Sequence, residues 1–200
     1  MTPDAKLLIA QFDAALGRVP ISQHVGIQRQ VTDILLGYAS YSERQAAILN
    51  GVMGRLVERI DRRALLELSG RLASVDNAPA NVIGRLSNDN DIAVAGPVLE
   101  RSNVLTDENL VAVAKTKSQE HLLAIAGRKQ INAIVTDVLV DRGNPDVALK
   151  VVANLGAMFS ERGFVKVVHG ARGNEELAAA IAARKDVPEE LLPFLQLAKA

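Results

Sequence analysis

Val94-Ala95-x-x-Val98-Leu99-x-Arg101 returns as His121-Leu122-x-x-Ile125-Ala126-x-Arg128. It returns again as Val147-Ala148-x-x-Val151-Val152-x-Asn154 and as Leu177-Ala178-x-x-Ile181-Ala182-x-Arg184. A poorer copy, Ala64-Leu65-x-x-Leu68-Ser69-x-Arg71, precedes them. From one terminal Arg or Asn to the next the spacings are 30, 27, 26 and 30 residues. Most apolar positions fall at i, i+3, i+4 and i+7 and few stretches alternate strictly with period two, the signature of amphipathic helices rather than strands. A helical motif returning at a loose but persistent period is the mark of stacked supersecondary units.

Between the copies lie breaks and second apolar patterns. The breaks are Asp76-Asn77-Ala78-Pro79, Ser102-Asn103, Lys129-Gln130, Leu155-Gly156-Ala157 and Lys185-Asp186-Val187-Pro188. Asn77, Thr106, Asn132 and Ser160 are N-cap residue types at the start of the second patterns. Thr106 with Asn109 falls short of a full capping box, although Asp107 and Glu108 suit a helix N-terminus. The second stripes run Val82, Ile83, Leu86; Leu110, Val113, Ala114; Val135, Val138, Leu139; Phe164, Val167, Val168; and Leu191, Phe194, Leu195. Pro97 inside a first helix predicts a kink or a late start. One helix pair cannot bury its own apolar face, so neighbours must stack. The expected fold is all-α: an N-terminal helical section over 1–60, then a short right-handed α-solenoid of about five HEAT-like helix pairs over 61–200, packed as one continuous unit.

In the N-terminal section Ala5 to Gly17 reads as a weak helix. Ile27, Val31, Ile34, Leu35 and Tyr38 form the stripe of a second helix over 27–39. Ser42 is placed to cap a third, with Leu49, Val52, Met53, Leu56, Val57 and Ile60 on its apolar face. Gly51 and Gly54 either weaken that helix or admit a close neighbour.

Composition narrows the function classes. Of 200 residues 48% are hydrophobic and 3% aromatic, with no Cys and no Trp. That is too apolar for a disordered chain, and it excludes disulfides, thiolate nucleophiles and Cys-held metals. Lys plus Arg is 23 and Asp plus Glu is 23, so the basic surplus of a nucleic-acid binder is missing and nucleic acid is disfavoured as a partner. Ala112, Asp137, Lys166 and Pro193 fall at one equivalent outward site of the second helices. This mixed set does not suit a base-reading code. The N-terminus, with Asp4 and a short apolar run, does not read as a signal peptide. No apolar run reaches 18 residues, so no membrane span is expected.

From Ile27 to Leu195 the chain resembles the bacterial domain-of-unknown-function family numbered 2336. The matching stretches include Gln30–Leu36, Gly54–Ile60, Asn77-Ala78-Pro79 and Asp91–Leu99. The most specific is Lys117–Ile125, continued by Val135–Asn144 and Gly156–Ser160. Residues 1–20 carry no part of it. The resemblance implies HEAT-like helical repeats and a cytoplasmic protein of alphaproteobacterial type. It implies no activity, and so no catalytic residues to transfer. Family members often exceed 200 residues, so the chain is expected to be either a shortened piece or a short member.

Arg71, Arg101, Arg128 and Arg184, with Asn154 interrupting them, are the candidate partner-binding residues. Equivalent positions of stacked repeats lie side by side, and a row of guanidinium groups suits carboxylates or phosphorylated residues. The competing role is helix capping, since a cation in a last turn meets free carbonyls and the negative dipole end. His121 stands where other copies have Val94, Val147 or Leu177. It marks either a candidate polar pocket, with Ser118, Gln119 and Glu120 nearby, or a hydrogen-bonded structural histidine. Asn88-Asp89-Asn90-Asp91 opens like a calcium loop but puts Ala93 and Val94 at positions five and six, where a ligand and Gly are needed. Phosphate-loop, dinucleotide, zinc-protease and serine-hydrolase motifs are absent.

The expectation is therefore a non-catalytic scaffold that binds another protein or peptide, in bacterial signalling or regulation, with no cofactor and no metal. A small-ligand binder or enzyme with a pocket near His121 is the alternative. Open solenoid ends also admit a homodimer.

Overall fold

The computed structural model describes residues 3–37 and 41–197, and among them every regular element is helical. The order is α1 (Pro3–Leu16), α2 (Ile21–Leu36), α3 (Glu43–Val57), α4 (Arg62–Leu72), α5 (Ala80–Ser87), α6 (Ile92–Arg101) and α7 (Asp107–Thr116). It continues with α8 (Gln119–Ala126), α9 (Ala133–Arg142), α10 (Pro145–Ala153), α11 (Glu161–Gly170), α12 (Glu175–Ala182), a 3-10 turn (Glu189–Leu191) and α13 (Leu192–Leu197). Contacts group the chain into two units. The first is Met1–Val98 with Ser102–Leu105; the second is Leu99–Arg101 with Thr106–Ala200. The expected border at residue 60 lies inside the first.

Local chemistry sets the helix starts. Ser42 caps α3 through a full capping box with Gln45. Thr106 does the same for α7, because the Asn109 side chain reaches back to the Thr106 N–H at 3.2 Å. The expectation of an incomplete box is corrected here: Asn at the third position is long enough. Ser160 caps α11 by accepting from the Gly163 N–H; Asn132 holds the N-cap position of α9 but makes no cap bond, its side chain donating to Asp107 instead. Asn77 is not a cap; α5 starts after Pro79. Asp91 caps α6 by accepting from the Ala93 N–H, so the Asn88–Asp91 run ends as a helix start. α6 runs through Pro97 without a break, since a proline at its sixth residue forfeits a single ladder bond.

In the second unit helices pack on next-but-one neighbours: α7 on α9, α9 on α11, α8 on α10, and α10 on α12. Sequential helices also touch, as in α7 with α8 and α9 with α10. The repeat stripes supply the core, with Leu122, Ile125, Val135, Leu139, Val151, Val152 and Ile181 fully buried. The last stripe fails at Phe194, which is exposed while Leu195 is buried.

In the first unit α1 packs on α3, α3 on α5, and α2 on both α3 and α4. Gly51 and Gly54 prove to be contact points. A Cβ at Gly51 would collide with the Ile9 side chain, and one at Gly54 would come within 2.7 Å of Asn81 Nδ2. α2 departs from its hydrophobic pattern. It extends over Ile21–Leu36, earlier than 27–39, and buries His24, Gln28, Thr32 and Leu35 while Ile34 stays exposed. Tyr38, expected on its stripe, lies outside the described residues. Gln28 Nε2 donates to Thr32 Oγ1 at 2.9 Å, and Thr32 Oγ1 donates to the Gln28 carbonyl at 2.8 Å. His24 Nε2 lies 3.2 Å from the Leu16 carbonyl oxygen. Hydrogen bonding among neighbours one turn apart is what lets part of this polar stripe go inside.

Candidate functional site

The recurrent polar position sits at the C-terminal end of each first helix. There the last carbonyls lack intrahelical donors and the dipole end is negative. In the second unit the side chain at this position serves the helix of the preceding copy. Arg128 Nη1 donates to the Leu99 carbonyl of α6 at 2.6 Å. Asn154 Nδ2 donates to the Ala126 and Arg128 carbonyls at 3.0 and 2.7 Å, while its Oδ1 accepts from the Gly156 N–H at 2.9 Å. Arg184 Nη1 donates to the Val152 and Asn154 carbonyls at 3.0 and 2.8 Å, and Nη2 donates to the Ala157 carbonyl at 2.8 Å.

Arg184 carries the most bonds. Its remaining donors go to Asp186, at 2.9 Å from Nε and 2.7 Å from Nη2. All five guanidinium N–H groups are then used, the full capacity of an arginine. The Phe159 and Phe164 rings stack at 4.8 Å, with the Arg184 guanidinium 4.8 Å from the centre of the first and 5.9 Å from the second. The Arg184 hydrogen bonds hold the Asp186 carboxyl below the usual aspartate range. Burial lowers the Arg128 pKa, with Asp107 opposing that shift.

The structure therefore does not set out the four arginines as one exposed row. Arg128 and Arg184 are 9% and 7% exposed and point at backbone. Arg71 pairs with Asp33 of α2, and Arg101 is exposed at the end of α6. The capping role takes over Arg128 and Arg184, with the carbonyls belonging to the preceding copy. Arg142, at the end of α9, repeats the device in the second helix row: Nη1 donates to the Ala114 carbonyl and, at 3.4 Å, to the Lys117 carbonyl. The sequence reading missed Arg142. Its signal is a basic residue in the last turn of a second helix.

His121 is 1% exposed at the third residue of α8, and its Nδ1 lies 2.8 Å from Ser118 Oγ, the N-cap. Ser118 makes no side-chain cap bond to the helix; its hydroxyl engages the imidazole instead. This fits the hydrogen-bonded structural role. A cleft of about 600 Å³ does exist, but it lies in the first unit against α3. Among the described residues no group of three or more His, Asp or Glu could hold a metal ion. None of the described helices is long and apolar enough to cross a membrane.

No curated protein and no solved structure matches the chain. Residues 94–195 match the family described as an uncharacterised protein conserved in bacteria, DUF2336. The match is shorter than the 27–195 stretch of the resemblance, and it begins in α6, whose Leu99 carbonyl accepts from Arg128. Over half of its length, including all of α7 to α12, the chain belongs to the bacterial family DUF2336.

Proposed function

We propose that this chain is a non-catalytic helical-repeat scaffold that binds another protein, acting in the bacterial cytoplasm in signalling or regulation. Its repeats form a short right-handed α-solenoid of about five HEAT-like pairs. The observation that carries the reading is the next-but-one packing of α7 to α12, joined at each step by a side chain bonded to the preceding copy. Stacked pairs of this kind build extended faces suited to partner chains.

We assign the binding face to exposed apolar residues of the α10–α11 connection, whose Asn154 and Ala157 carbonyls accept from Arg184. Met158 N–H donates to the Ile131 carbonyl at 2.8 Å, so the α10–α11 connection runs beside the start of α9. That connection carries Leu155, 79% exposed, and Met158, 61% exposed; Ile134 at the start of α9 is 61% exposed. Large apolar side chains left in water near one another mark interaction surfaces. The test is affinity capture from a bacterial lysate, with crosslinking and mass spectrometry, using wild type and Leu155→Asp/Met158→Asp. A specific protein held by wild type and lost by the variant supports the reading. Capture of no specific protein, or equal capture by both, contradicts it.

A further inference from the structure

The cleft in the first unit has a chemistry of its own. Arg55 and Glu58, one turn apart on α3, line it as opposite charges 3.9 Å from each other, too far for a hydrogen bond. Each side chain is about half exposed, at 49% and 54%. Asn50 also lines it. Ile9, Ala47 and Ala80 complete the wall with apolar surface. The volume of about 600 Å³ is in the range of small-molecule sites.

A ligand that answers these groups carries a carboxylate for Arg55 and a cationic nitrogen for Glu58, close together. It also has an apolar body to lie against Ile9, Ala47 and Ala80. An α-amino acid combines them on one carbon: its carboxylate and ammonium are neighbours, and the ammonium has three donors. Charge-assisted contacts of this type are the strong hydrogen bonds of a polar site. A loosely spaced surface pair contributes little to folding, so engaging it with ligand costs little. We propose that this cleft binds a free α-amino acid with an apolar side chain, a site separate from the protein-binding face of the second unit.

L-leucine is the probe. Titrated to millimolar concentration into the 15N-labelled full chain, it shifts the Gly51 and Gly54 backbone N–H signals and the Asn50 side-chain amide, saturably. L-leucinamide lacks the carboxylate and N-acetyl-L-leucine lacks the ammonium. Each binds at least about tenfold more weakly, the loss of one charge-assisted contact. Arg55→Gln and Glu58→Gln weaken L-leucine binding by the same factor and leave the rest of the spectrum in place. No saturable shift with L-leucine overturns the proposal. So do shifts that persist with both blocked analogues or with both substitutions.

Discussion

The same position of the repeat does different work in the two units. In the first, Arg71 ends α4 and forms an ion pair with Asp33, whose side chain is 66% exposed. In the second, Arg128, Asn154 and Arg184 end α8, α10 and α12 and bond to the backbone of the copy before them. The difference lies in what each side chain meets. α4 packs on α2, which offers a carboxylate. α10 and α12 each pack on the preceding first helix, which offers unpaired carbonyls at its negative end. A solvated ion pair adds little to stability. A buried guanidinium facing carbonyls is costly to remove, because both sides are left unsatisfied. The first unit leans on further surface pairs, Arg29 with Glu67 at 2.6 Å and Arg59 with Asp13 at 2.8 Å.

This contrast is open to substitution. Arg184→Ala is expected to cost the most, about 3–5 kcal/mol, because the Val152, Asn154 and Ala157 carbonyls all lose their donor. Arg184→Lys should recover only part of it, since an ammonium has three donors where five are used. Urea unfolding checks both. Asn154→Ala should cost about 1–3 kcal/mol by leaving the Ala126 and Arg128 carbonyls without their donor. Asn154→Asp should be no better, because a carboxylate placed against carbonyl oxygens has nothing to donate. Arg71→Ala and Arg101→Ala should change stability by less than about 1 kcal/mol. A loss at Arg71 equal to that at Arg184 would break the contrast.

Acid provides the smallest effect. The Asp186 carboxyl titrates lower in the fold than in the unfolded chain, mainly because Arg184 donates to it. Its contribution is present above the unfolded aspartate pKa, about 3.9, and fades as pH falls through the lower folded value. Asp186→Asn should therefore flatten the stability profile in that acidic window and leave its shape near neutrality unchanged.

Much of the helical architecture was legible because burial follows period. His121, Leu122, Ile125 and Ala126 are all buried, as the motif requires. Ser42 and Ser160 act as caps for the reason their type suggests. The buried face of α2 departs from its hydrophobic pattern because it is built of His24, Gln28 and Thr32: Gln28 and Thr32 bond one turn apart and His24 reaches the Leu16 carbonyl, and no hydrophobic pattern marks such side chains. The arginine row was legible as a periodic feature but not in its direction. Sequence shows that Arg128 and Arg184 end helices; it does not show that a neighbouring helix ends within reach. The cleft by Asn50 was invisible, because Ile9, Arg55 and Ala80 come together only through the packing of α1 and α5 on α3.

The central claim is that Arg128 and Arg184 are interior staples between copies while Arg101 faces water. Proton exchange at the guanidinium nitrogens, followed by NMR on the full chain, tests it most directly. The account predicts slow exchange for the Nη protons of Arg128 and Arg184 and fast exchange for those of Arg101. Equally fast exchange at all three would contradict it and return these arginines to the surface.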